Sequence, residues 1–118
     1  MMNTPPSIPL APGHFDYSFI RHSCLGFYAR VVGYFLPCED DFIFENNAKT
    51  EEIPPEFISA CEEGFREATQ RGSLPEYPIT GVKVILTGGR YHPVDSNKIA
   101  FKIAAFKAFQ EAYLTANF

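Results

Sequence analysis

Hydrophobic and polar residues alternate with a period of two along much of the first half of the chain. Residues 15–19 carry aromatic side chains at every second position, separated by aspartate and serine. The same alternation runs through 27–36, where Pro37 ends it, and returns briefly in 42–45. Because every second side chain of a strand points to the same face, this pattern predicts three half-buried strands.

The apolar spacing then changes to the period of a helix. The Pro54-Pro55 pair suits a helix start, where a missing N–H has no helical partner to lose, and Gly72 suits a helix end. Between them, one apolar stripe lies opposite glutamate and arginine side chains. The stripe predicted to be buried is Phe57, Ile58, Cys61, Phe65 and Ala68.

A fourth strand and a second helix complete the pattern. Residues 79–87 predict the strand, and the Gly88-Gly89 pair after it predicts a tight turn. Asp95 or Ser96 is the predicted N-cap of the second helix. The predicted inward face of that helix is Ile99, Ile103, Phe106, Phe109 and Tyr113, with alanines between them.

The predicted element order is β-β-β-α-β-α, and 118 residues are enough for one hydrophobic core. A meander of three strands followed by a helix, a strand and a helix predicts an α+β two-layer sandwich, with a four-stranded sheet on one side and both helices on the other. Residues 1–13 contain four prolines, which lack the backbone donor that a sheet needs, and predict an extended arm. Residues 14–118 are predicted to form the single domain.

Composition narrows the function classes. The net charge of −4 argues against a protein that coats nucleic acid by bulk charge, although it is compatible with a local cationic surface. The chain has no apolar run long enough to span a membrane and no signal-peptide pattern at its start. Three widely spaced cysteines, Cys24, Cys38 and Cys61, fit buried thiols in a reducing compartment. We therefore expect a cytoplasmic protein, with mitochondria and plastids left open.

Enzyme hypotheses find little support in the sequence. There is no phosphate-binding Gly-x-x-x-x-Gly-Lys-Ser/Thr motif, and no nucleotide, cofactor or metal site is predicted. His22 and Cys24 are close enough along an extended segment for a Cys–His pair, yet no third group or oxyanion site accompanies them. Asp95 near His92 is better explained as a helix cap than as an acid–base partner. No catalytic residue is therefore assigned, and a small Cys/His enzyme ranks last among the hypotheses.

Two segments resemble domain IV of elongation factor G. The first is Tyr91-His-Pro-Val-Asp-Ser96, followed by the helical Ala100-Phe-Lys-Ile-Ala-Ala105. The second is Ile53-Pro-Pro-Glu-Phe-Ile-Ser-Ala-Cys-Glu-Glu-Gly64, with the exit Gly72-Ser-Leu-Pro-Glu-Tyr-Pro78. The resemblance implies the same element order and a fold similar to the second domain of a ribosomal protein, with a left-handed crossover.

The resemblance also implies a function. In the family, this domain is a non-enzymatic arm that enters the decoding region of the small ribosomal subunit and assists translocation, while GTP acts only through a separate domain. Its tip consists of two loops, which correspond here to 20–27 and 88–96. The second loop matches the family pattern. The first has Ser23 and Cys24 in place of two glycines and Arg21 in place of a glutamine.

The expected partner is the small ribosomal subunit, through ribosomal RNA and also messenger or transfer RNA. The alternative is a divergent interaction domain that kept the fold and lost ribosome binding, which the altered first loop and the acidic balance favour. Whether the chain is free-standing or a piece of a longer factor is left open. Arg21, Arg90 and His92 are expected to form a small cationic cluster. The residues expected to contact RNA are Arg21, His22, Ser23, Gly26, Gly89, Arg90, Tyr91, His92, Asp95 and Ser96.

Overall fold

The secondary structure follows the predicted order. The computed structural model describes residues 11–21, 26–71 and 79–117. An α+β fold with the order β-β-β-α-β-α is confirmed, whereas the predictions for Gly72 and for residues 1–10 of the arm lie outside the described residues. The elements are β1 (Gly13–Arg21), β2 (Phe27–Pro37), β3 (Phe42–Asn46), a 3-10 turn (Pro55–Phe57), α1 (Ile58–Arg71), β4 (Val82–Arg90) and α2 (Lys98–Asn117).

The sheet has the strand order β1-β2-β4-β3, so the predicted three-stranded meander is wrong. β2 pairs antiparallel with β1 and β4, and β3 pairs parallel with β4. The connection from β2 to β3 passes the start of β4, where the Cys38 N–H donates to the Gly81 carbonyl (2.8 Å) and the Gly81 N–H donates to the Asp41 carbonyl (2.9 Å). β4 therefore lies between β2 and β3, and α1 provides the crossover that a parallel pair requires.

The hydrophobic core lies between the sheet and the two helices. Every second residue of β2 within 29–35 is buried, as the alternation predicted. Phe65 of α1 is fully buried, and its ring centroid lies 5.3 Å from that of Phe15 and 5.9 Å from that of Phe44. A second ring pair, between β2 and α2, packs on the same side of the sheet. Both helices therefore cover one face of the sheet, as predicted.

The two helices pack closely because the residues between them are small. A side chain at Gly64 would collide with the Lys102 carbonyl of α2, so glycine is what lets the backbones approach. The predicted inward face of α2 is largely wrong: Ile99 is 61% exposed, and Ile103 and Phe106 are only half-buried. The face that is buried consists mostly of alanines, namely Ala100, Phe101, Ala104, Ala105, Ala108, Phe109 and Ala112. No helix in the described part of the chain has the length and apolarity that crossing a membrane requires.

β4 continues through the two glycines that were predicted to form a tight turn. Gly33 pairs with Leu86 and Val32 pairs with Gly88, so the residue between, Thr87, forms a β-bulge. A side chain at Gly89 would collide with backbone of the neighbouring strand, and this close approach explains the glycine there. The second loop therefore begins after Arg90, three residues later than the sequence indicated.

Candidate functional site

Both predicted tip loops lie at the same end of the sheet. The last residue of β1 pairs with the first residue of β2, and Arg90 at the end of β4 pairs with Arg30, near the start of β2. The N–H of Tyr28 donates to the Asp95 carbonyl at 3.0 Å, which joins the second loop to the first residues of β2. The described parts of the two loops therefore lie side by side, as a tip formed by both loops requires. His22 and Ser23 lie outside the described residues.

The imidazole of His92 helps to form the second loop. Its Nδ1 accepts hydrogen bonds from the backbone N–H groups of Val94 (3.2 Å) and Asp95 (3.3 Å). An acceptor nitrogen carries no proton, so the neutral ring has its proton on Nε2. The side chain is 54% exposed. His92 therefore acts locally as an asparagine does in an Asx turn, and it leaves the Nε2–H donor unused within the loop.

Ser96 connects this turn to the sheet. Its hydroxyl accepts from the His92 N–H at 2.8 Å and donates to the Tyr28 carbonyl at 2.6 Å. The Ser96 N–H also donates to the His92 carbonyl at 3.0 Å. The loop is thus closed on itself and fixed to β2 before any ligand binds.

Asp95 or Ser96 was predicted as the N-cap of α2, and this prediction is wrong. Asn97 is the N-cap, because its Oδ1 accepts from the Ala100 N–H at 2.7 Å. The Asp95 carboxylate instead lies over Gly26: a Cβ there would be 2.9 Å from Oδ1 of Asp95. Glycine at the end of the first loop therefore makes room for a side chain of the second. The signal for Asn97 was its place directly before the periodic helical segment.

The expected cluster of Arg21, Arg90 and His92 does not form a single patch. Arg21 shares the helix-covered face of the sheet with Phe27, and its guanidinium carbon lies 5.7 Å from that ring centroid. Arg90 pairs with Arg30, whose side chain belongs to the opposite, uncovered face. The two arginines therefore project from opposite faces, since side chains alternate along a strand.

Two further predicted residues lie partly within the fold. Gly89 belongs to β4 rather than to the loop. Tyr91 is half-buried and packs against the hydrophobic core. These positions leave the exposed part of the second loop to residues 92–94. The RNA-contacting roles assigned to the ten residues stay predictions.

Sequence reasoning missed an ion pair on the uncovered face. Arg30 donates from Nε to Oδ1 of Asp16 (2.8 Å) and from Nη2 to Oδ2 (2.7 Å). These hydrogen bonds lower the pKa of Asp16 from its ordinary value. Arg90, directly opposite Arg30, has no carboxylate within ion-pair distance among the residues that the structure describes. The pair neutralises one of two adjacent guanidinium groups and leaves the charge of Arg90 available.

The cysteines that the structure describes are poor nucleophiles or remote from the site. Cys61 is fully buried in the core, and this burial raises the pKa of its thiol to about 12. Cys38 lies at the other end of the sheet, with its Sγ 3.3 Å from the Asp40 carbonyl. The predicted pair of His22 and Cys24 falls outside the described residues. Within the described segments, no three His, Cys, Asp or Glu side chains group as metal ligands would.

The chain matches a known protein family over nearly its whole length. The sequence profile described as "Elongation factor G, domain IV" matches residues 10–117. The protein "Elongation factor G 1" of Syntrophus aciditrophicus is 51% identical over 89 residues, which is 75% of this chain and 13% of that protein. "Elongation factor G 1" of Borreliella burgdorferi is 40% identical over 103 residues, 84% of this chain and 15% of that protein. The chain thus spans only a small part of the length of these relatives.

A similar fold occurs in a solved structure. A crystal structure of a protein from Thermus thermophilus superposes with a TM-score of 0.82 at 32% sequence identity. The match covers 90% of this chain and 16% of the other. The four-stranded mixed sheet and two helices therefore belong to a known arrangement.

Proposed function

This chain belongs to the elongation factor G domain IV family, and we propose that it contacts the decoding region of the small ribosomal subunit. The contact surface is the end of the sheet where the two loops meet. The chain has no chemical step of its own in this proposal; it assists translocation by occupying a position, and GTP acts through another domain. We propose the cytoplasm as its location, because the ribosomes that it would contact are there.

The observation that carries this proposal is the order already present in the second loop. The hydrogen bonds to Nδ1 hold the His92 ring in one tautomer, with Nε2–H pointing away from the turn. Phosphate oxygens and the exposed edges of unstacked bases are acceptors that such a donor binds. Because the loop does not need to be ordered on binding, little entropy is lost when the contact forms.

The remaining predicted contacts fit this geometry to different extents. Arg90 supports the proposal because none of the described carboxylates neutralises its charge beside the loop, and Arg21 would reach RNA from the other face of the sheet. Asp95 and Gly26 support it by holding the two loops together. The partners we propose are ribosomal RNA and, in the decoding region, messenger or transfer RNA.

Co-sedimentation with purified small subunits, at two salt concentrations, tests the proposal. The key variants are His92→Asn and His92→Ala. Asparagine Oδ1 is the same number of bonds from the backbone as histidine Nδ1, so His92→Asn keeps the acceptor of the turn and loses the Nε2–H donor. We expect both variants to bind more weakly, and only His92→Ala to lose order in the loop. His14→Asn, exposed near the start of β1, is the matched control and should bind as the wild type does.

Two outcomes count against the proposal. If His92→Asn binds subunits as well as the wild type, the imidazole does not make the contact. If the wild-type chain fails to sediment with subunits even at low salt, the ribosomal function fails for this chain. An interaction domain that kept the fold would then replace it.

A further inference from the structure

A groove of about 460 Å³ lies on the helix-covered side of the sheet. One wall is the end of β1, with Phe19 and Arg21, and the other is formed by the last turns of α1 and the middle of α2. The charged residues that line it are Arg21, Glu67, Arg71, Lys102 and Lys107. Among the described residues, four cations and one carboxylate therefore line one groove, in a chain whose net charge is −4.

The positive charge of the groove exceeds what its own carboxylate can neutralise. Glu67 lies 3.5 Å from Nη2 of Arg71 and 3.9 Å from Nζ of Lys102. Lys102 also lies 3.8 Å from Glu63, outside the groove, so its charge is largely balanced. Arg21 and Lys107 have no carboxylate within ion-pair distance in the ranges 11–21, 26–71 and 79–117. A bound anion would supply the missing negative charge.

Aromatic rings alternate with these cations. The guanidinium carbon of Arg21 lies 6.0 Å from the Phe19 ring centroid, and that of Arg71 lies 5.6 Å from the Phe106 ring centroid. Both phenylalanines are only half-buried, so part of each ring remains accessible. A guanidinium group stacked on a ring keeps its N–H edges free to donate to phosphate.

We infer that this groove binds a segment of single-stranded RNA, with phosphates on Arg21, Arg71 and Lys107 and bases against the exposed rings. Cations interleaved with aromatic side chains are the combination by which proteins hold unpaired strands. The acidic side chains of a peptide would satisfy the charge, but aspartate and glutamate have no aromatic ring to stack on Phe19 and Phe106. The inference rests on the proposed function for the source of the RNA, yet it assigns a second surface on the helix-covered side, which shares only Arg21 with the predicted tip residues.

Fluorescence anisotropy of the whole chain with a labelled ten-residue oligoadenylate tests the groove. The variant Arg71→Ala/Lys107→Ala removes two cations from it. The control Arg66→Ala/Lys49→Ala removes two cations elsewhere. Its change at Arg66 matches the change at Arg71, because Arg66 also pairs with a glutamate at i−4 and lies 4.7 Å from a ring centroid. We expect the groove variant to bind on the order of tenfold more weakly, with a log–log salt slope smaller by about 1.4. The control should stay within about twofold of the wild type.

Three results would overturn the inference. If the groove and control variants bind oligoadenylate equally well, the position of the removed charges does not matter and the groove is not the binding site. An abasic ribose-phosphate strand of the same length binding as tightly as the oligoadenylate would exclude stacking on Phe19 and Phe106. Complete displacement of the RNA by polyglutamate at equal charge would favour an acidic protein segment instead.

The same variants separate this inference from the proposed function. If the wild type fails to sediment with small subunits while oligoadenylate binding still depends on Arg71 and Lys107, the ribosomal proposal fails and the groove stands. If subunit binding depends on His92 while oligoadenylate binding ignores the groove substitutions, the groove inference alone is overturned.

Discussion

The Ser96 hydroxyl donates a 2.6 Å hydrogen bond to the backbone carbonyl of Tyr28, 68 residues earlier in the chain. This contact, together with the Tyr28 N–H donating to the Asp95 carbonyl, fastens the second loop to the first residues of β2. The same hydroxyl accepts from the His92 N–H. One small side chain therefore sets both the position of the loop and the orientation of the residue proposed to contact RNA.

Ser96→Ala should loosen the second loop and lower the free energy of unfolding by about 1–2 kcal/mol. The substitution leaves the Tyr28 carbonyl and the His92 N–H without their partner. Chemical denaturation measures the stability, and amide exchange at His92 measures the local opening. Ser18→Ala, at an exposed position of β1, is the control and should change neither quantity. Unchanged exchange at His92 in Ser96→Ala would show that the loop is held by other contacts.

Much of the fold could be read from periodicity, but the neighbours of each strand could not. The alternation in β2 correctly identified its buried face, because successive side chains of a strand point to opposite faces of the sheet. The pattern of 42–45 says nothing about which strand β3 pairs with, since that depends on the crossover through α1. The Gly88-Gly89 pair was misread because glycine marks both turns and strands approached closely by another backbone.

The candidate site shows the same division. Its location at one end of the sheet could be predicted from the loop matches. The directions in which its side chains point could not. Arg21 and Arg90 were placed together because both flank the tip, yet strand register sends them to opposite faces. The groove between β1 and the helices was not foreseen, because its residues are far apart in sequence and none of them forms a motif.

Asn97→Ala should lower the free energy of unfolding by about 0.5–2 kcal/mol, because the Ala100 N–H loses its capping acceptor. Asn97→Asp keeps a side-chain oxygen at this position and should retain most of the stability. Urea denaturation, followed by the helical circular dichroism signal, measures both variants. A larger loss in Asp95→Ala than in Asn97→Ala would restore Asp95 as the cap.

Phe65→Ala should lower the free energy of unfolding by about 3–5 kcal/mol, since it removes a fully buried ring that packs against Phe15 and Phe44. Phe106 was also predicted to be buried, but it is half-buried at the groove. Phe106→Ala should therefore lower the free energy of unfolding by less than half as much as Phe65→Ala. Chemical denaturation of the two variants side by side is the measurement. Similar losses would mean that Phe106 is as much a part of the core as Phe65.

The buried Cys61 thiol should make the fold sensitive to alkaline pH. Burial raises its pKa from the ordinary 9.0 to about 12 in the folded chain. Below pH 9 the folded and unfolded chains both carry the proton, so the stability due to this group is fully present. As the pH rises from 9 towards 12, the unfolded chain releases the proton that the folded chain retains. Unfolding then becomes more favourable, by about 1.4 kcal/mol for each pH unit.

Cys61→Ala isolates this effect from other groups, such as Tyr17, whose pKa is also raised by burial. The variant leaves a small cavity and should be less stable than the wild type at pH 8. Above pH 9 the difference between the two should shrink steadily, because only the wild type has a buried thiol to ionise on unfolding. Urea denaturation of both proteins at intervals from pH 8 to pH 11 provides the curves. A difference that stays constant across this range would show that the Cys61 thiol ionises as easily in the folded chain as in the unfolded one.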